Sequence, residues 1–255
     1  MLFGVCHERP TPELAQALAE VGIDYYEPTV SRGIMSAPER WFTHTGAQWK
    51  RGPLRPLTAN VFVPGELKIV GAVNWSAVRS YLQEAFERLR RVGIDVVVFG
   101  SAPARVLPEG YSLDAAYDDI ERFLVIALEL ADGDVRIGIE PIWKPEAVVF
   151  PTFRSAAGFI DERGLSAVGI TMDSFHLANA SESAADLEGQ VDKIFHVHIS
   201  GIKRGEVEDE DVDYLTAIGE TLRKGGYAGR CSFEIHWSEP AFQVAESLKR
   251  IGAFC

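Results

Sequence analysis

Four side chains in the second half of the chain could together hold a divalent cation: Glu140, Asp173, His198 and Glu234. Each lies at or near the end of a short run rich in β-branched or aromatic residues, namely "VRIGIE", "AVGITMD", "IFHVHIS" and "CSFEIHW". Such runs read as strands. Three carboxylates and one imidazole gathered round one axis repel each other unless a cation sits among them. Oxygen-rich ligation with a single histidine suits Mn²⁺ first, then Mg²⁺ or Co²⁺, better than a structural zinc. An earlier run, "IDYYE", also ends in an acid, Glu27. A core or rim role is expected for Glu27, as for His7 and His236. His196 stands two residues before His198 and shares its face of the strand. Two imidazoles on one face are costly to bury without partners.

The elements that must position these groups alternate strictly. Candidate strands lie at 2–6, 23–27, 57–62, 94–100, 135–140, 167–173, 194–200 and 231–237. Several are apolar nearly throughout, as parallel strands covered on their outer face should be. Helical patterns with recognisable ends lie between them. "TPELAQALAEVG" offers Thr11 as N-cap, Pro12 at the first helical position and Gly22 as the stop. "WSAVRSYLQEAFERLRRVG" repeats that plan with Ser76 and Gly93, and a third helix starts at Ser112. "VGID" recurs at 21–24 and 92–95, a spacing that fits two βα units. Eight strands in this order predict one (β/α)₈ TIM barrel over residues 1–255, with functional groups at the C-terminal strand ends. An open nucleotide-binding sheet is disfavoured, because no GxGxxG follows the first strand.

Composition narrows the class further. A chain of 255 residues buries enough surface to fold without disulfides. Cys6, Cys231 and Cys255 are odd in number and far apart, which suits a reduced, cytoplasmic protein. "MLFGVCHERP" has no basic leader region, so no secretory signal is expected. The apolar stretch "FLVIALELA" contains Glu129 and is too short to span a bilayer. A net charge of −12 argues against a nucleic-acid partner.

The chain also resembles the xylose-isomerase-like barrel superfamily of sugar isomerases and epimerases, relatives of endonuclease IV. "NVFVPGELKIVG", "VVVFGSAPARVLPEG", "IEP", "MDSFH", "HVHIS" and "FEI" carry the likeness, in order at consecutive strands. The resemblance implies that Glu140, Asp173, His198 and Glu234 ligate the metal, as in the ketose 3-epimerase branch. It further implies that Glu146, His176 and Arg204 bind substrate hydroxyls. His198 is then the ligand, and His196, one layer deeper, packs and hydrogen-bonds inside the barrel. The implied reaction is proton transfer beside the keto group of a ketose or keto-sugar, with Glu140 and Glu234 as paired acid–base groups. Epimerisation and aldose–ketose isomerisation need the same residues.

One segment departs from that branch. After "IEP" the chain has "IWKPEAVVF", where the branch has polar, Asn-rich sequence. Trp143, Val148, Val149 and Phe150 either line an apolar pocket wall or pack loop on loop. The first option leaves open a keto-glycoside lyase resembling C-glycoside deglycosidases, which would bring a second subunit; a homo-oligomer is compatible with either reading. Arg105 is expected in a structural salt bridge rather than on a phosphate. The loops after the last two strands lack a glycine-rich helix start, which points to a non-phosphorylated sugar.

Overall fold

The computed structural model describes residues 1–42, 49, 52–144 and 146–252. Nine parallel strands run through them: β1 (Leu2–Cys6), β2 (Tyr25–Glu27), β3 (Arg55–Pro56), β4 (Thr58–Ala59) and β5 (Val96–Phe99), then β6 (Arg136–Ile139), β7 (Val168–Asp173), β8 (Ile194–Ile199) and β9 (Arg230–Phe233). The order is β3-β2-β1-β9-β8-β7-β6-β5-β4. Its two ends are halves of one segment. β3 pairs with β2 and β4 pairs with β5, so residues 55–59 close the barrel as a single broken strand. The continuous strand expected over 57–62 does not form. Pro56 has no N–H for a ladder, and Val61 turns into left-handed backbone at φ 47°. Counted as positions round the barrel, there are eight, as the alternation predicts.

Between the strands lie α1 (Pro12–Glu20), α2 (Trp75–Val92), α3 (Leu113–Ala131), α4 (Phe153–Glu162), α5 (Ser174–Asn179), α6 (Val212–Lys224) and α7 (Pro240–Arg250). Thr11 and Ser112 cap α1 and α3 as expected, accepting from Leu14 N–H (3.3 Å) and Ala115 N–H (3.1 Å). The cap of α2 is Asn74, not Ser76: its Oδ1 accepts from Ala77 N–H at 3.1 Å, and Trp75 is already helical. Both "VGID" copies serve one purpose. Gly22 (φ 99°) and Gly93 (φ 91°) take the left-handed turn that feeds a helix back into a strand. Among the described residues no helix is long and apolar enough to cross a membrane.

Strand alternation sorts the side chains into two sets. Phe3, Val5, Ile137, Ile139, Val197, Ile199 and Phe233 join the core between sheet and helices. Gly4, Tyr25, Glu27, Thr171, His196, His198 and Ser232 occupy the barrel interior, where space is tight. A Cβ on Gly4 would lie 2.3 Å from the Tyr25 ring, and one on Gly138 would lie 2.7 Å from Thr171 Oγ1. The inside of this barrel is packed and largely polar. Cys6 is half-buried and Cys231 buried; Cys255 lies outside the described residues.

Candidate metal centre

The strand register brings the acids and the imidazole to one level. Asp173, the last residue of β7, is in register with His198 of β8, which is in register with Ser232 of β9. Glu140 and Glu234 each follow the end of a strand. Their N–H groups continue the ladder, to Phe99 O (3.1 Å) and Ile199 O (3.0 Å). One ligand atom from each of Glu140, Asp173, His198 and Glu234 falls within 4.8 Å of the other three.

Nδ1 of His198 is the focus. It lies 3.0 Å from Glu140 Oε1, 2.9 Å from Glu234 Oε2 and 3.6 Å from Asp173 Oδ2. An imidazole nitrogen carries at most one hydrogen, so it cannot satisfy three carboxylates. The other ring nitrogen, Nε2, meets Glu27 Oε1 at 2.9 Å. An ionised carboxylate only accepts, so Nε2 holds a hydrogen and Nδ1 is left with a lone pair or a second proton. Burial alone would lower the imidazole's pKa, but the charges of Glu27 and Glu234 outweigh it and hold the ring well above its usual value. The spot that faces the three acids therefore favours positive charge. A divalent cation fits the same place, with three oxygens and one nitrogen already turned towards it.

Asp173 divides its two oxygens between fold and site. Oδ1 accepts from His176 N–H at 3.0 Å and so caps α5, while Oδ2 accepts from Arg204 Nη1 at 2.5 Å. Burial would raise this carboxyl, yet Arg204 and the histidines bring it well below the usual carboxylate range. Arg204 also donates through Nη2 to Glu234 Oε2, and its guanidinium lies over the Phe175 ring, 5.0 Å from the centroid. Its backbone is left-handed (φ 62°), uncommon for a residue with a side chain. Bonds from Arg204 N–H to Gly201 O (2.9 Å) and from His236 N–H to Arg204 O (3.1 Å) hold it there.

The other residues named from sequence are placed unevenly. His176 is buried beside Asp173 with Nδ1 unpartnered. Glu146 is exposed on the loop after β6; its Oε1 accepts from the Trp143 indole N–H at 2.8 Å, and it stands outside the four-residue cluster. His236 is exposed and His7 half-buried. Arg105 departs from the salt bridge expected of it. It is 1% exposed, has no ion pair among the described residues, and donates Nη2 to the Glu140 carbonyl at 2.7 Å. Phe99 and Phe150 flank its guanidinium, and burial lowers it to about 10. Val149 and Phe150 are wholly buried, with Phe150 against Tyr117 and Phe159, so they belong to the core rather than to a pocket wall. Trp143 of that segment lies edge-on to Phe175 at 6.3 Å, the ring that the Arg204 guanidinium covers.

Two contributors escape a reading by strand ends. Gly100 leaves room for a carboxylate: a Cβ there would lie 2.1 Å from Glu140 Oε2. Glu27, visible as an acid at the end of β2, faces inward and binds both imidazoles of β8. An acid at a strand end was the available signal; its partner was not.

A model of the xylose isomerase-like TIM barrel family matches residues 15–253. A comparison with curated proteins finds no match. Among solved structures the chain is similar to 3-keto-D-glucoside 4-epimerase, YcjR, from E. coli, at 21% identity and TM-score 0.79 over 99% of each chain. It is similar to L-ribulose 3-epimerase at 17% identity and TM-score 0.81, covering 100% of this chain and 94% of that one. A third, the IOLI protein with a binding zinc atom, has 18% identity and TM-score 0.72 over 100% and 99%. Likeness at these identities establishes the fold.

Proposed function

The chain belongs to the xylose isomerase-like TIM barrel family, and we propose that it is a divalent-metal-dependent sugar isomerase or epimerase acting on a ketose or keto-sugar. The observation that carries this reading is the convergence of Glu140, Asp173 and Glu234 on Nδ1 of His198. These four would hold the ion, Mn²⁺ ahead of Mg²⁺ or Co²⁺. When bound, such an ion polarises a keto oxygen and acidifies the carbon beside it.

The chain's own groups then move the proton. Glu140 and Glu234 flank His198 from β6 and from the end of β9. One carboxylate removes the proton from the carbon next to the carbonyl; the other returns one. Return to the opposite face of the same carbon inverts it, and return to the adjoining carbon exchanges aldose and ketose. Arg204 and His176 supply N–H groups to substrate hydroxyls, and Glu146 supplies an acceptor from the loop. Trp143 and Phe175 offer ring surface at the edge. A non-phosphorylated sugar fits best, since Arg105 is sealed beneath Glu140. The sugar epimerases among the structural neighbours support the same class. Three cysteines, odd in number and far apart in the chain, suit a cytoplasmic setting.

The test joins metal analysis with a substrate screen. Purified protein should carry one divalent ion per chain and incorporate solvent deuterium next to the carbonyl of one ketose or keto-glycoside in D₂O. A metal-loaded protein that exchanges no such proton refutes the reading. Release of an aglycone would make it a lyase, a reading that loses its apolar wall now that Val149 and Phe150 lie in the core.

A further inference from the structure

Glu27 is 1% exposed and every contact of its carboxylate is inside the barrel. Oε1 accepts from His198 Nε2 at 2.9 Å; Oε2 accepts from His196 Nε2 at 2.9 Å and from Ser232 Oγ at 2.6 Å. With the Ser232 hydrogen given to Glu27, the Tyr25 hydroxyl donates to Ser232 Oγ at 2.8 Å. The Tyr25 ring is itself held across Gly4 of β1, where any Cβ would collide with it. The result is a buried chain from Tyr25 through Ser232 and Glu27 to the imidazole whose other nitrogen faces the three acids.

We propose that Glu27 is the positioning residue of the metal site: it fixes His198 as the Nε2–H form, aims Nδ1 at Glu140, Asp173 and Glu234, and raises the basicity of that nitrogen. This rests on the metal-site reading above. A carboxylate behind a metal-binding imidazole sets its orientation and strengthens it as a ligand. Cys6 Sγ lies 3.9 Å from His198 Nε2, and Cys6, Glu27 and His198 also approach one another closely enough to suggest a second ion site. The hydrogen bonds argue otherwise. Nε2 donates to Glu27, and Glu27 accepts from three donors, so the imidazole offers this group no lone pair and the carboxylate is largely committed. It is support for the first site. His196 is the second donor that keeps the carboxylate from turning away.

The change that separates charge from shape is Glu27→Gln. The Gln oxygen can keep the bond from His198 Nε2–H. The amide can donate to His196 Nε2, whose proton moves to Nδ1, a position with no partner at present. The buried Nδ1–H then lacks an acceptor, and Ser232 must turn its hydrogen away from the amide, so the melting temperature should fall while circular dichroism still shows the folded barrel. Affinities for Mn²⁺ and Co²⁺ are read by competition with a fluorescent chelator, in wild type, Glu27→Gln and Asp173→Asn. Glu27→Gln should weaken binding about 10–100-fold, and Asp173→Asn should abolish it. Mn²⁺ affinity within twofold of wild type in Glu27→Gln, with binding lost in Asp173→Asn, overturns the role of Glu27 and leaves the metal site standing. A wild type that binds no ion, or an unchanged Asp173→Asn, overturns both. Nitrogen-15 NMR of the wild type loaded with diamagnetic Mg²⁺ gives a second readout that needs no variant. His198 should show a protonated Nε2 and an unprotonated Nδ1, and the reverse assignment also overturns the proposal.

Discussion

Gly100→Ala places one methyl group against Glu140 and almost nothing else. The new Cβ would sit 2.1 Å from Glu140 Oε2 and 3.3 Å from its Cδ, with Ile142 Cδ1 at an ordinary 3.5 Å. To restore normal contact of about 3.4 Å, Oε2 must retreat by about 1.3 Å. The colliding atom is the free end of a flexible side chain, so the fold yields cheaply. Gly100 is not in left-handed backbone, and replacing glycine by alanine at a compatible site stabilises by about 0.4–1 kcal/mol through the unfolded chain. Folding should change little. The chemistry should change greatly, because misplacing a reacting group by about 1 Å costs on the order of 10²-fold in rate. That factor corresponds to about 2.7 kcal/mol of barrel-borne transition-state stabilisation. The assay is turnover of the ketose found by the deuterium screen, at saturating Mn²⁺, beside a thermal melt. A folded Gly100→Ala protein with wild-type turnover would show that the position of Glu140 does not matter, and the two-carboxylate mechanism would fall.

Further outcomes follow from the same geometry. Asp173→Asn and His198→Ala should each strip the ion from purified protein, measured by elemental analysis; unchanged content in both refutes the ligand set. Glu140→Gln and Glu234→Gln keep one ligating oxygen but lose the base, so turnover should fall about 10²–10⁴-fold. If each residue serves one face, each variant should still exchange the proton of one epimer with D₂O while failing to interconvert the pair. Arg204→Ala should raise KM, because it removes the donor proposed for substrate hydroxyls, without weakening Mn²⁺ binding, because it removes a cation that competes for Asp173 and Glu234; loss of metal in this variant would instead make Arg204 part of the ion's scaffold.

What was legible in the sequence follows the range of each physical signal. Strand and helix are local: the apolar runs and caps at Thr11 and Ser112 are read within a few residues, and they stand as expected. Ser76 was misread because Asn74, two residues earlier, caps equally well and comes first. The third strand breaks after Pro56, which lacks a ladder donor and is plain in the sequence just ahead of the run expected at 57–62. Strand-end acids were legible because a barrel turns a one-dimensional regularity into a ring. Pairing inside the ring was not. Nothing in "IDYYE" says that Glu27 will reach across to His196 and His198, more than 160 residues away, or that Gly100 is small for the sake of Glu140. Arg105 shows the same limit: an arginine has a plausible surface role by type, and this one is sealed in the core.

A charge count explains why these groups can share one interior. Glu27, Glu140, Asp173 and Glu234 bring four negative charges to the end of the barrel; Arg204 returns one positive charge through its bonds to Asp173 and Glu234, and the buried Arg105 beside Glu140 returns a second. Buried charge left without a partner is destabilising by several kcal/mol per ion, so the remaining excess needs positive charge at the point where the acids face His198. In the metal-free chain the second proton on His198 supplies one unit. A divalent ion in that place supplies two and frees Nδ1 to bind it, taking the excess from minus one to zero. On the proposed metal reading, proton and ion compete for one position, with Glu27 holding the imidazole in place for either. Adding Mn²⁺ to metal-free protein should therefore release about one proton per ion bound and raise the melting temperature. Calorimetric titration in two buffers of different ionisation enthalpy measures that release. Binding with no proton set free would show that His198 was already neutral, and the account of how the acids are held apart from one another would have to be abandoned.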